Sequence, residues 1–256
     1  MDVKGFLIDL DGVMYVGNSA VDGARRAIDH IRRRGYRFRF VSNTTRKSRN
    51  TIAGNLEKMG IPVDESSIFT PPVAALAYMK NSKKCRCMLV TTADVRRDFE
   101  PFCEIGGTTE RVDYVVVGDA GDAMTYDTLN RAFRCIQDGA DILALEKDRY
   151  WMAPDGLMLS AGPFVAALEY ASGKDAVVLG KPSLGFFSMA LRDMGLPAGQ
   201  VAMIGDDITT DIAGARNAGM QAILVRTGKF SEADLGDRGS KPDAVIDSIA
   251  CIRDIA

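Results

Sequence analysis

Phe6-Leu7-Ile8-Asp9-Leu10-Asp11-Gly12-Val13 is an apolar run that ends in two aspartates one residue apart, followed at once by glycine. In a strand, residues i and i+2 share a face, so Asp9 and Asp11 are expected to present their carboxylates side by side. Like charges at that range repel, and burying them unpaired is costly. A divalent cation resolves the conflict, which makes the pair a candidate metal site with a spare carboxylate for chemistry. Ile204-Gly205-Asp206-Asp207-Ile208-Thr209-Thr210-Asp211 repeats the theme far along the chain.

Working outward, the first third alternates strand and helix. A helix is expected over about 22–34, capped by Asp22 and ended by Gly35, then a strand over 36–41. The Tyr36/Phe38/Phe40 against Arg37/Arg39 alternation suggests that one side of this strand is partly open. A helix follows over about 48–59. Thr70-Pro71-Pro72 punctuates the chain, and a fresh series of strands (86–90, 113–117, 141–145) and helices (125–137, 163–171) ends at Ser172-Gly173-Lys174. Strand–helix alternation then resumes over 177–225. Repeated βα units imply parallel sheets with helices on both faces. The expected fold class is therefore α/β, a doubly wound parallel-sheet core interrupted by a second α/β domain. The expected boundaries are 1–75 and 176–256 for the core and 76–175 for the insert.

Composition narrows the chemistry. The chain has 256 residues and a net charge of −2, with no basic bias toward nucleic acid or acidic membranes. No apolar stretch approaches the roughly 20 residues of a membrane span, and no secretory segment is read at the start. The five cysteines (Cys85, Cys87, Cys103, Cys135, Cys251) are odd in number and lack a CxxC, so reduced thiols and a cytoplasmic location are expected. Cys85-x-Cys87 reads as alternation within a strand rather than a metal pair. His30 is the only histidine and reads as a helix-end residue. A multi-histidine zinc site is excluded, and a Ser-His-Asp triad is disfavoured. The chain has no cysteine with an arginine six positions on, no GxGxxG and no GxxxxGK[ST]. Covalent catalysis falls to a carboxylate.

Four signals recur at strand ends or helix starts, where open α/β sheets bind ligands: Asp9-Leu10-Asp11-Gly12, Ser42-Asn43-Thr44 after an apolar strand, Gly180-Lys181-Pro182, and Gly205-Asp206-Asp207 with Asp211. Singly, Ser42-Asn43 is a turn or cap, Lys181 a solvated surface lysine, and Asp206-Asp207 a helix cap. In this order the chain resembles the haloacid dehalogenase superfamily of phosphohydrolases, in its NagD-like and p-nitrophenylphosphatase-like branch with a large α/β cap between the second and third motifs. Gly139-Ala140, Lys147-x-Arg149-Tyr150, Asp155-Gly156-Leu157, Gly162-Pro163-Phe164, Leu168-Glu169-Tyr170 and Val225-Arg226-Thr227-Gly228-Lys229 look closest to the phospholysine/phosphohistidine inorganic pyrophosphate phosphatase group. The chain departs from many members at Glu146, where they have Asn.

A phosphoryl group repels an anionic nucleophile, and Mg²⁺, which prefers one or two carboxylates plus waters and phosphate, would screen that charge. Asp9 and Asp206 would supply carboxylates, and the resemblance implies the Asp11 backbone carbonyl as third protein ligand. Spacing leaves open whether Asp206 or Asp207 touches the metal; the resemblance favours Asp206. Asp9 is the expected nucleophile and Asp11 the general acid and base. Lys181, Ser42, Asn43 and Gly12 would hold the phosphate. Asp207 and Asp211 would orient Lys181 or metal-bound water. Arg149, Tyr150, Trp151 and Met152 are substrate-side candidates, although Trp151 and Met152 read more simply as core of the insert.

The expected partner is a small phosphorylated molecule, with no nucleic acid and no membrane; the resemblance implies a homodimer through the cap. Two other functions compete. A receiver-like module phosphorylated on Asp9 without turnover is disfavoured by Asp11, which would activate water, and by the insert. A phosphotransferase would use the same residues and differ in moving phosphate to an added alcohol.

Overall fold

The computed structural model describes residues 3–82, 84, 86–100, 104–105, 111–153, 155–232 and 241–254. In chain order the elements are β1 (Gly5–Asp9), β2 (Tyr15–Val16), β3 (Ser19–Ala20), α1 (Ala24–Arg33), β4 (Arg37–Val41), α2 (Arg49–Lys58), β5 (Ile68–Phe69) and α3 (Pro71–Ser82). They continue with β6 (Arg86–Val90), α4 (Ala93–Phe99), β7 (Glu104–Ile105), β8 (Tyr114–Val117), α5 (Tyr126–Gln137), β9 (Asp141–Ala144), β10 (Tyr150–Ala153) and β11 (Gly156–Leu159). Last come α6 (Gly162–Ser172), β12 (Val177–Val178), α7 (Leu184–Met194), β13 (Val201–Gly205), α8 (Ala213–Asn217), β14 (Gln221–Val225) and β15 (Ala244–Ile246). A π-helical turn, Ile208–Ile212, leads into α8. Among the described residues no helix is long and apolar enough to cross a membrane.

The chain divides into two compact units. Met1–Ser42, Ile52–Phe69 and Lys181–Ala256 form the first, and Asn43–Thr51 with Thr70–Gly180 form the second. The expected boundary at 75/76 moves to 69/70 because Pro71 and Pro72 open α3 rather than break the chain. Proline suits a first helical turn, where its missing N–H has no partner to lose. The expected boundary at 175/176 moves to 180/181 because β12 pairs with β9 of the second unit. The stretch 43–51, expected in the core domain, joins the second unit instead.

The first unit holds a sheet in the order β15-β14-β13-β1-β4-β5, its pairs all parallel. Every residue of β1 and β13 is buried, as expected of central strands covered on both faces. On one face α1 packs Ala24, Ala27, Ile28 and Ile31 against Phe6, Ile8 and Phe40. α7 buries Phe186 and Phe187, and Phe186 meets Phe69 edge-to-face at 5.3 Å. Ser183 caps α7 by accepting the Phe186 N–H at 3.1 Å. β4 is partly open, as its alternation suggests: Arg37 is exposed, and Arg39 pairs with Asp193 at 2.6 Å. α1 starts differently from expectation. Gly23, with φ +77°, occupies the cap position and no side chain caps the helix, so Asp22 stands one residue too early.

The second unit holds the parallel sheet β12-β9-β8-β6-β7 and the antiparallel hairpin β10-β11. Val115, Val117, Ile142, Ile136 and Val165 are in its core. Glu146, buried, accepts the Ser160 hydroxyl and the Ala161 N–H, both at 2.7 Å, and the Asp148 N–H, closing the base of the hairpin. Burial raises its pKa despite these bonds. Lys147 pairs with Glu169 at 2.7 Å. The hairpin corrects one expectation. Met152 does not fill the core but is 71% exposed, and Tyr150, Leu157 and Leu159 are exposed as well. Cys85 and Cys103 lie outside the described residues, so the Cys85-x-Cys87 pair is left there; Cys135 and Cys251 are free thiols.

Candidate active site

Parallel pairing brings the carboxyl ends of β1, β4 and β13 to one edge of the first sheet. Asp9 closes β1 opposite Val41, the last residue of β4, and Ser42 follows it. Asp206 follows Gly205, the last residue of β13. Asp9, Asp206 and Asp211, all buried, each offer an oxygen within 4.8 Å of the others. Lys181, also buried, donates to Asp9 Oδ1 at 2.5 Å and to Asp211 Oδ1 at 2.6 Å.

This cluster sets three carboxylates against one ammonium. Burial pushes the Asp9 carboxyl up; Lys181 opposes the shift, while Asp211 and Asp206 add to it. Burial alone would lower Lys181, but Asp211 and Asp9 outweigh it and hold the ammonium charged. Asp206 is pushed up to about 6, by burial first, against the Lys229 N–H that bonds it. A buried, oxygen-only donor set with negative charge in excess of its internal cation suits a hard divalent ion such as Mg²⁺. The residues present fit that ion: Asp9, Asp206 and Asp211 each offer a carboxylate oxygen, and Lys181 bonds one oxygen of Asp9 and one of Asp211.

Backbone shape leaves room for Asp206. Gly12 has φ +83°, and a Cβ there would lie 2.0 Å from Asp206 Oδ2; Gly228 has φ +68°, and its Cβ would lie 2.1 Å from the same atom. The Thr227 hydroxyl donates to the Gly12 carbonyl at 2.5 Å, and the Lys229 N–H donates to Asp206 Oδ2 at 2.7 Å. Gly12→Ala therefore imposes a rare backbone conformation and displaces Asp206. It is expected to lower stability by about 1–3 kcal/mol and to weaken metal activation, as read from urea unfolding and an Mg²⁺ titration of activity.

Asp207 does a different job from Asp206. Its Oδ1 accepts the N–H groups of Thr209 at 2.9 Å and Thr210 at 3.0 Å and the Thr209 hydroxyl at 2.6 Å, which caps the π-helical turn. Lys229 Nζ lies 3.1 Å from its Oδ2. These bonds and Lys229 overcome the burial that raises it, and its pKa is lowered to about 2. Asp207 is thus placed as a cap and Asp206 as the cluster carboxylate.

Asp11 departs from its expected place. β1 ends at Asp9, and the N–H groups of Val13, Met14 and Tyr15 turn back to the Leu10 carbonyl. Asp11 is exposed whereas Asp9 is buried, and it is not among the three clustered carboxylates. The same-face argument assumed a strand running through Asp11. Ser42 is buried at the end of β4 in the first unit, and Asn43 belongs to the second.

Sequence reasoning missed the support that Thr227, Gly228 and Lys229 give to Gly12 and Asp206. A usable signal was present: Thr-Gly-Lys comes just after the apolar strand β14, at the same sheet edge as Asp9.

A family model described as haloacid dehalogenase-like hydrolase matches residues 6–102, and a second, HAD-hydrolase-like, matches residues 178–252. The chain is 41% identical over 232 residues to haloacid dehalogenase-like hydrolase domain-containing protein 2 of Bos taurus, covering 91% of this chain and 87% of that relative. It is 37% identical over 254 residues to phospholysine phosphohistidine inorganic pyrophosphate phosphatase of Homo sapiens, covering 97% and 92%. The p-nitrophenyl phosphatase structure from Archaeoglobus fulgidus superposes with a TM-score of 0.91 at 27% identity, covering 100% of both chains.

Proposed function

Because the chain belongs to the haloacid dehalogenase-like hydrolase family, we propose that it is a Mg²⁺-dependent phosphatase that hydrolyses small phosphate monoesters, or phosphoramidate or pyrophosphate-type compounds, through an aspartyl-phosphate on Asp9. The observation that carries this reading is the buried cluster of Asp9, Asp206 and Asp211 with Lys181. Bound Mg²⁺ would neutralise charge and polarise the phosphoryl oxygens. Asp9 and Asp206 would hold it with the Asp11 carbonyl.

In the first step an Asp9 carboxylate oxygen bonds to phosphorus as the bond to the leaving oxygen breaks, and Asp11 gives that oxygen a proton. In the second, Asp11 takes a proton from water, the water oxygen attacks phosphorus, and Asp9 is released with inorganic phosphate. Exposure of Asp11 suits both transfers, since the group must meet the leaving group and then water. Lys181 sets a charge beside the phosphate and is held by Asp211. Ser42, Asn43 and the backbone at Gly12 donate to the remaining oxygens. Asp207 shapes the turn that carries Asp211.

This reading includes a cytoplasmic location, supported by the free thiols. It also keeps the cap-mediated homodimer as a proposal, for which the exposed apolar face of the β10-β11 hairpin offers contact area. The test is phosphate release from p-nitrophenyl phosphate with Mg²⁺ and with EDTA. Metal removal is expected to lower the rate by at least about 10²-fold, restored by added Mg²⁺. Release undiminished by EDTA would overturn the metal assignment.

A further inference from the structure

We infer that Asp94, on α4 of the second unit, is a positioning residue for the loop that binds the phosphoryl oxygens. The inference rests on the reading above of Ser42 and Asn43 as oxygen donors. Asn43 heads the segment 43–51, which the second unit holds by a dense set of bonds. Asp94 Oδ2 accepts the Ser48 N–H at 2.8 Å, and its Oδ1 accepts the hydroxyls of Ser48 at 3.2 Å and Thr51 at 3.0 Å. Asp98, one turn further on the same helix face, accepts the Arg49 N–H and Arg49 Nε, both at 3.2 Å. Thr92 bonds the Arg46 carbonyl at 3.0 Å, and the Asp119 N–H bonds the Thr45 hydroxyl at 3.0 Å.

The N–H groups at a helix start have no partner within their own helix. At the start of α2 the Ser48 and Arg49 N–H groups are met by carboxylates from another helix, which also suit the positive end of the helix dipole, and the Thr51 N–H is met by the Ser48 hydroxyl. Burial works to raise Asp94, but the bonds from Ser48 and Thr51, with Arg97, hold it below its usual value. Thr45 and Ser48 are buried, as is Asp98, while Arg46, Lys47 and Asn50 are exposed, so the segment is anchored to the second unit through its buried hydroxyls. A segment fixed at 45–51 leaves little freedom to the three residues joining it to β4, Ser42, Asn43 and Thr44. The metal carboxylates are elsewhere in the chain and take no part in these bonds.

The test compares Asp94→Ala, Asp94→Asn and Thr51→Val with wild type, measuring KM and kcat for p-nitrophenyl phosphate, the inhibition constant of inorganic phosphate and the Mg²⁺ concentration for half activation. Asp94→Ala is expected to raise KM and the phosphate inhibition constant together by about tenfold, with kcat changed less and Mg²⁺ activation unchanged. Asp94→Asn, which keeps one acceptor oxygen, and Thr51→Val, which removes the Thr51 hydroxyl from Asp94 and from Ser48, should fall between; they carry the test if Asp94→Ala does not fold. An active set of variants with lowered melting temperature but unchanged KM and phosphate inhibition overturns the inference alone. An inactive wild type overturns the phosphatase reading instead. Calorimetric binding of inorganic phosphate then decides the inference: weakening in Asp94→Ala upholds it, and unchanged or absent binding overturns it.

Discussion

Asp9→Asn is expected to lower kcat for p-nitrophenyl phosphate by at least about 10⁴-fold while leaving the protein folded. The amide is neutral and a poor nucleophile, so no aspartyl-phosphate forms, and one oxygen ligand for the cation is lost as well. The fold should persist because Lys181 keeps its 2.6 Å bond to Asp211 and the substitution removes one of three clustered negative charges. Steady-state kinetics with saturating Mg²⁺ and urea unfolding of the same sample check both halves. Asp9→Ala serves as a companion that cannot revert by deamidation. Residual activity above about one hundredth of wild type would move the nucleophile to another residue.

Lys181→Met should have the largest effect on stability, a loss of about 3–5 kcal/mol in EDTA. The ammonium is the cation that bonds both Asp9 and Asp211, and its removal leaves two buried carboxylates uncompensated. The loss should depend on pH with a definite sign. Asp9 already has a raised pKa in the folded chain, and Lys181 is the group that opposes the rise, so the variant raises it further. The folded state then holds a proton that the unfolded state has released, and stability falls as pH rises from the unfolded carboxyl pKa through the folded one. Urea midpoints in EDTA at pH 5 and pH 8 should show the smaller loss at pH 5. Equal losses at both would mean that Asp9 is not the group left uncompensated. Phosphatase activity should vanish at both pH values when saturating Mg²⁺ replaces EDTA.

The parts of the site legible in the sequence are those that end an apolar run. Asp9 ends β1, and Ser42 and Asp206 follow β4 and β13 of the first sheet; a polar group straight after buried apolar residues at a strand end is a local signal. Lys181 was legible through its place before a capped helix, though nothing local showed that it bonds Asp9 across 172 residues of chain. The Thr227–Gly12 bond spans 215 residues and depends on two glycine backbones meeting over Asp206, which no periodicity encodes. Asp11 was misplaced because alternation was carried two residues beyond the strand's end. The β10-β11 hairpin was missed because Tyr150, Met152, Leu157 and Leu159 are apolar yet exposed, so hydrophobicity there does not report burial. The segment 43–51 was assigned to the core because it follows β4 in sequence, whereas its hydroxyls and N–H groups find their partners on α4 and beside Asp119.

The order of strands in the first sheet bears on how the chain is made. Of the strands in this sheet β1 is made before the others, yet of its two neighbours only β4 follows soon; β13 comes far later in the chain. Throughout synthesis of the intervening residues, one side of a strand that is apolar up to Asp9 lacks its pairing partner. Such an edge invites pairing with another nascent chain. Chains stopped before Val201 should therefore be prone to aggregate even with the second unit complete, and fast synthesis through that interval should favour recovery of the folded protein.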